Sequence, residues 1–158
     1  MNVDDVMSFI TAARLVLQTD LELEITFGRP VAGSGGGDFA GDVSGIIDFE
    51  GGITGSLVLA LPASTAQKIA GRLRGEPIGL HQLEISEVLG SLLAGIRSEV
   101  ETRLALRDVH VGRPSIVIGP GHRVRPAEGS SCVCIPLECR LGRLRLEVAL
   151  ESMPAAAC

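Results

Sequence analysis

Apolar and polar positions change period several times along the chain, and each change marks an element. The longest stretch of one period is Leu83–Leu104. Ile85, Val88, Leu89, Leu92, Leu93, Ile96, Val100 and Leu104 recur there at i, i+3, i+4 and i+7. That spacing predicts an amphipathic helix with one buried face. Gly90, Ala94, Gly95 and Ser98 in the same stretch are small. Each glycine costs roughly 1 kcal/mol against alanine, so close packing or a partner must offset them. Residues 2–19 carry the same period, with Val3, Val6, Met7, Ile10, Ala13 and Leu17 as the expected buried stripe. Asn2 suits the cap, and Asp4 and Asp5 suit the positive end of the helix dipole. A third helix is predicted from Pro62 to Arg74, with Ala66, Ile69, Ala70 and Leu73 inward and Gly75 as its stop.

Between these helices the period falls to two. Glu22–Arg29 alternates, with Leu23, Ile25 and Phe27 on one face, and Pro30 ends it. Asp42–Glu50 and Ile53–Leu61 flank Gly51-Gly52, a pair that predicts a tight hairpin because both turn positions tolerate positive φ. Pro114–Gly119, Ser131–Arg140 and Arg143–Glu151 are further strands, the last two joined at Leu141-Gly142. Gly33–Gly37, Gly75–Leu80 and Gly119–Glu128 read as connectors. The glycines at 33–37 are a poor phosphate cradle, since no lysine or helix start follows. The order α-βββ-α-α-βββ predicts an α/β (α+β) fold: a largely antiparallel sheet with helices packed on one face. One domain is expected over residues 1–152, with 153–158 as a frayed tail.

Composition narrows the classes. The chain has 158 residues, 46% hydrophobic and 21% charged, with a net charge of −5. This suits a folded domain rather than a disordered one. No apolar run approaches the ~18 residues of a membrane helix. The acidic start MNVDDVMSF lacks the basic segment of a signal peptide. A cytoplasmic protein without membrane association is therefore expected. Residues 97–145 hold nine arginines against five acids. With only four phenylalanines in the chain, none of them in that segment, the arginines read as a solvated surface rather than a nucleic-acid footprint. Cys132, Cys134, Cys139 and Cys158, with the scattered His81, His110 and His122, do not have the spacing of a zinc site. They read as reduced thiols, and no metal or cofactor of the chain's own is expected.

The pieces in order resemble one family. MNVDDVMSFITAARLVLQTDLELEITFGRP looks like the first helix and strand of the CheX branch of the CheC/CheX/FliY chemotaxis phosphatases. GDVSGIIDFEGGITGSLVLALPASTAQKIAGRLRGEP looks like the family's hairpin and second helix. RPSIVIGPGHRV looks like its P-x-x-x-x-G-x-G-H segment, and CVCIPLECRLGRLRLEVAL like its closing hairpin. The resemblance implies a CheC/CheX-like fold and a partner, the receiver domain of a CheY-like response regulator. It implies a homodimer joined through sheet edges. Any magnesium is expected on the receiver. In the family an E-x-x-N pair on the helix matching residues 87–104 serves as the active site. Its glutamate contacts a receiver lysine, and its asparagine orients water for in-line attack on the aspartyl phosphate.

Here the chain departs from the family. The ungapped fit of GSLLAGIRSEVETRL puts Ser91 on the glutamate and Ala94 on the asparagine. Ser98 takes a following glycine position and Glu99 the next asparagine position. A shifted fit puts Glu87 on the glutamate but leaves Gly90 on the asparagine. Either way the carboxamide is missing, and Ala94 offers neither donor nor acceptor. The first helix, with Thr11, Ala12 and Ala13, supplies no second motif. Glu87, Ser91, Ala94 and Ser98 should share one helix face. Three readings follow. One is a receiver-binding protein with weak or absent phosphatase activity. Another is an active aspartyl-phosphate phosphatase with a site relocated to Glu87, Ser91 or Glu99. The third is a non-catalytic dimeric structural or adaptor protein.

Overall fold

The computed structural model describes residues 3–33, 41–79, 82–122, 124 and 129–151. The expected cap at Asn2, Ser34 and the glycines at 35–37, His81, most of the 123–128 connector, Cys158 and the tail lie outside the described residues.

Helix α1 (Val3–Leu21) leads into short strands β1 (Thr26–Phe27) and β2 (Val31–Ala32), then β3 (Gly41–Gly51) and β4 (Gly55–Leu61). Helices α2 (Ala63–Arg74) and α3 (Gln82–Arg103) follow. A 3-10 turn, η1 (Ala105–Arg107), then leads into β5 (Val109–Val111), β6 (Ser115–His122), β7 (Ser130–Cys139) and β8 (Gly142–Glu151). All pairs are antiparallel, and the strand order is β1-β7-β8-β4-β3-β5, with β2 also on β7 and β6 also on β3. The architecture is the predicted α/β one, a curled antiparallel sheet with three helices. It differs by one extra short strand in each half: β2 beyond Pro30, and β5 before the predicted 114–119 strand.

One face of the central strands, carrying Val43, Ile47, Phe49, Leu57, Leu59, Leu61, Leu144, Leu146, Val148 and Leu150, joins the helices in a single core. Alternation along β3, β4 and β8 places these side chains together. Phe9 of α1 stacks on Phe49 of β3 with ring centroids 4.4 Å apart. The period-3.6 stripe of α3 buries Ile85, Leu89, Leu92, Leu93, Ile96 and Val100, as the spacing predicts. Gly45 on β3 lets α3 come down onto the sheet, because a Cβ there would collide with the Cδ1 of Leu93. Overpacking such a contact typically costs 1–3 kcal/mol.

Several local expectations are corrected. Val3 and Met7 are 72% and 49% exposed, outside the buried stripe. The buried face of α1 is rotated toward Phe9, Ala12 and Val16, and it takes in Asp5. Arg107 pairs with that carboxylate at 2.6 Å, which makes its burial tolerable. The strand predicted over 22–29 is in the ladder only at Thr26–Phe27. Gly51-Gly52 is not a two-residue turn. The β3–β4 register runs Phe49 opposite Gly55, and Gly51 remains in β3 opposite Val109 of β5. The Gly52 N–H then donates to the Asp108 carbonyl at 3.1 Å. The arginine-rich surface is not uniformly solvated. Arg145 is 7% exposed on the helix-free face of the sheet and meets Glu147, 5% exposed, at 3.1 Å.

The 119–128 connector is also corrected, because β6 continues to His122. Asp42 explains this. Its Oδ1 accepts the Gly121 N–H at 3.0 Å, and its Oδ2 accepts the Ala63 N–H at 2.8 Å. His122 closes the same knot. Its Nδ1 lies 2.7 Å from the Gly119 carbonyl, which can only accept, so that nitrogen carries the proton. Nε2 lies at hydrogen-bond distance from the Ser44 hydroxyl, also 2.7 Å. Pro62, the N-cap residue of α2, makes no side-chain cap. The carboxylate of β3 therefore supplies the negative charge that the helix N-terminus favours.

The two N–H donors, Gly121 first and Ala63 second, hold the Asp42 carboxyl below its ordinary value, with His122 adding to them against a small burial penalty. A lowered folded-state pKa adds stability above the unfolded value, and that stability is lost as pH falls through the folded one. Asp42→Asn, which leaves one acceptor oxygen for two N–H donors at a solvent-screened site, is expected to cost about 0.5–1 kcal/mol at pH 7. In urea melts the gap between variant and native protein should close as pH drops below about 4.

Candidate functional site

The candidate site is the outward face of α3. With 3.6 residues per turn, burying Ile85, Leu89, Leu92, Leu93 and Ile96 turns the opposite side to solvent. Glu87, Ser91, Ala94 and Ser98 are all exposed there. The structure brings these four into one strip, as the i, i+4, i+7, i+11 spacing requires. Glu99 does not join them. It is turned roughly 100° from Ser98, half-buried, and holds Arg103 at 3.1 Å.

The polar atoms of the strip are largely turned back onto the helix. The Ser91 hydroxyl donates to the Glu87 carbonyl at 3.3 Å, and the Thr102 hydroxyl to the Ser98 carbonyl at 3.1 Å. Such i to i−4 bonds satisfy the hydroxyl proton and leave its lone pairs facing out. Arg74, at the last turn of α2, approaches Glu84 at 3.6 Å and Glu87 at 3.9 Å. Arg97, on the flank toward β5, is tied to the Val111 carbonyl at 3.2 Å and to Glu101 at 3.1 Å.

The two helix glycines separate in role. Gly95 faces α1, where its Cβ position would lie 3.2 Å from Val16 Cγ1 and 3.6 Å from Asp20 Oδ2. Gly90 has nothing within 4 Å of that position, so only Gly95 meets the expectation of a close neighbour. Beside Ser91, the C-terminal ends of α1 and α2 and the second and third turns of α3 border a cleft of about 280 Å³ lined by Asp20, Leu73, Arg74, Val88, Ser91 and Leu92. Asp20 and Arg74 carry no signal in the sequence, since 54 residues and a sheet hairpin separate them.

A strip with one methyl at its centre, two hydroxyls and a carboxylate loosely paired to arginine can be approached closely by another protein. It holds no carboxamide. Among the described residues no group of histidine, cysteine and carboxylate side chains is arranged for a metal ion. No helix is long and apolar enough to cross a membrane.

The three-helix, curled-sheet architecture is that of CheC-like proteins. A CheC-like superfamily protein from Shewanella sp. PV-4 superposes with a TM-score of 0.85 at 23% identity, covering 96% of this chain and 100% of that one. The chemotaxis protein CheX of Vibrio vulnificus is similar at 26% identity and TM-score 0.81, covering 94% and 100%. The chain from the CheX–CheY–BeF3–Mg2+ complex of Borrelia burgdorferi is similar at 22% and 0.78, covering 96% and 100%. No curated protein matches. The model of the family described as chemotaxis phosphatase CheX matches residues 43–138. The chain therefore belongs to the CheX family.

Cys132, Cys134 and Cys139 are free thiols. Burial, then the neighbouring Glu147 and Cys134 against the partial relief of Arg145, pushes the Cys132 thiol from 9.0 up to about 11. Burial raises Cys134 as well. Thiolate is the reactive form, so these two are poor nucleophiles. Alkylation at pH 8, mapped by mass spectrometry, should proceed at least about tenfold more slowly at both in the folded protein than in urea.

Proposed function

We propose that this protein docks an activated CheY-like receiver domain through the Glu87–Ser91–Ala94–Ser98 strip and hydrolyses its aspartyl phosphate slowly or not at all. One observation carries the reading: Ala94 is exposed at the middle of the strip, with no polar atom to orient a water. Family membership supports a chemotaxis or related two-component role. The CheX–CheY complex of Borrelia burgdorferi supports a receiver as partner, with magnesium on the receiver. The protein then acts as an adaptor or as a competitor for phosphorylated receiver. This suits a cytoplasmic protein.

A homodimer through sheet edges belongs to the same reading. Strand β6 is bonded to β3 on one side only among the described residues, and Val117 within it is 40% exposed. Such an edge invites pairing with a second copy. Sedimentation velocity is expected to show a dimer at micromolar concentration, and a concentration-independent monomer removes this part.

Loss of one positioned group typically lowers turnover by ~10²–10³. A phosphorylated CheY-like receiver mixed with the native protein should therefore lose phosphate at close to its own rate. Ser91→Glu combined with Ala94→Asn should accelerate that loss by about a hundredfold. A burst of phosphate from stoichiometric native protein overturns the reading and favours the relocated site. Alanine at Glu87, Ser91 and Glu99 in turn would then identify its members.

A further inference from the structure

A second hollow, an open groove of about 810 Å³, runs along α2, and none of its lining residues belongs to α3. One wall is the connector at 76–78. The Gln67 side chain ties it down by donating to the Ile78 carbonyl at 2.7 Å. Gly71 lets it close in, since a Cβ there would lie 3.2 Å from the Glu76 carbonyl oxygen. Glu22, just past the end of α1, and Leu141, in the turn between β7 and β8, also line the groove. A volume of this size is ordinary for a small-molecule site.

The groove is neutral overall but carries separated charges of both signs. Lys68 and Arg72 lie one turn apart on α2, and Glu22 and Glu76 supply two carboxylates; all four are exposed. None of them forms an ion pair with another described residue. Arg72 donates from Nε and one Nη to the Leu21 and Glu22 carbonyls at 2.9 and 3.3 Å, and both N–H groups of its other Nη remain to bind an anion. Pro77, Ile78 and Leu141 add apolar surface between these charges.

We infer that this groove binds a small zwitterion of the α-amino acid class with an aliphatic side chain. Its carboxylate takes the Arg72 and Lys68 donors, its ammonium takes Glu22 or Glu76, and its side chain lies on Pro77, Ile78 and Leu141. A simple anion would satisfy the two cations but meet both carboxylates as repulsion, and a simple cation the reverse. A zwitterion leaves no charge of the groove opposed. A second copy of the chain offers the same concave surface and does not enter the groove. The inference goes beyond the receiver-docking reading and does not rest on it.

The test uses the isotope-labelled full chain, with L-leucine, leucinamide and N-acetylleucine as probes and NMR shift titration as the readout. Leucine is expected to bind in the millimolar range or tighter and to move the amides of Gly71, Gly75 and Ile78. Leucinamide lacks the carboxylate and N-acetylleucine the ammonium, so each should bind at least about fivefold more weakly. Lys68→Ala and Glu76→Gln should each weaken leucine by about fivefold while leaving the urea midpoint of the protein unchanged. Arg72 is kept in place because it also holds the end of α1. Asp48→Asn, on an exposed strand position, is the control and should bind leucine like the native protein. Absence of shifts up to about 20 mM leucine overturns the inference. So does equal binding of leucine and either blocked analogue, or unchanged affinity in both groove variants.

Discussion

The placement of α3 is the constraint on which the rest depends. Two close approaches fix it. Leu93 settles over Gly45 on one side, and Val16 of α1 reaches Gly95 on the other. Neither leaves room for an added methyl without movement, and interiors packed to crystal-like density do not yield easily. A helix held at two points along its buried faces cannot rotate about its axis. Its outward strip is then set without any contact to the strip itself. The residues that present Ser91 and Ala94 to solvent are therefore buried ones on the opposite side.

Polar contacts extend this control to α2. Asp42 of β3 binds the first N–H of α2 and the Gly121 N–H of β6 at once. One carboxylate thus joins a helix start to a strand end. At the other end of α2, Gly75 takes a left-handed conformation (φ 80°), and its N–H bonds the Gly71 carbonyl. Arg74 lies in that last turn and reaches the first turns of α3. The surface ion pairs, at 3.6 and 3.9 Å, contribute little stability by themselves. Their effect is local: they set the charge at the lip of the cleft next to Ser91.

The sequence made the long-period elements legible because their signal is local. The stripe from Ile85 to Val100 needs no knowledge of a partner, and the exposure of Ser91 and Ala94 follows from it. What was not legible depends on residues far apart in the chain. Val3 and Met7 looked like core because they are apolar, whereas Asp5 is buried because Arg107, 102 residues away, neutralises it. Gly51-Gly52 looked like a two-residue hairpin, but β5 claims Gly51 for the ladder. The Gly-Pro-Gly-His stretch at 119–122 looked like a loop until Asp42 and Ser44 were found to hold it in β6. Asp20 had no motif at all, since its surroundings are made by the ends of α1 and α2 and the interior turns of α3.

A methyl at Ala94, where the resemblance implies an asparagine, bears on two properties that one surface can carry. Docking depends on shape, on the area removed from water and on charge at the rim, and a small apolar centre does not harm these. Hydrolysis depends on a group that fixes water in line with the phosphorus, and that requires a donor and an acceptor at one point. The exposed strip is compatible with the first, and the Ala94 side chain has no atom that could supply the second. On the proposed reading, such a protein would lower the concentration of free activated receiver by binding it, in proportion to its own abundance, whereas a catalyst does so at each turnover. Its effect on signalling would then be set by how much of it is present. On that reading, Ala94 is the position where those two modes of control would diverge.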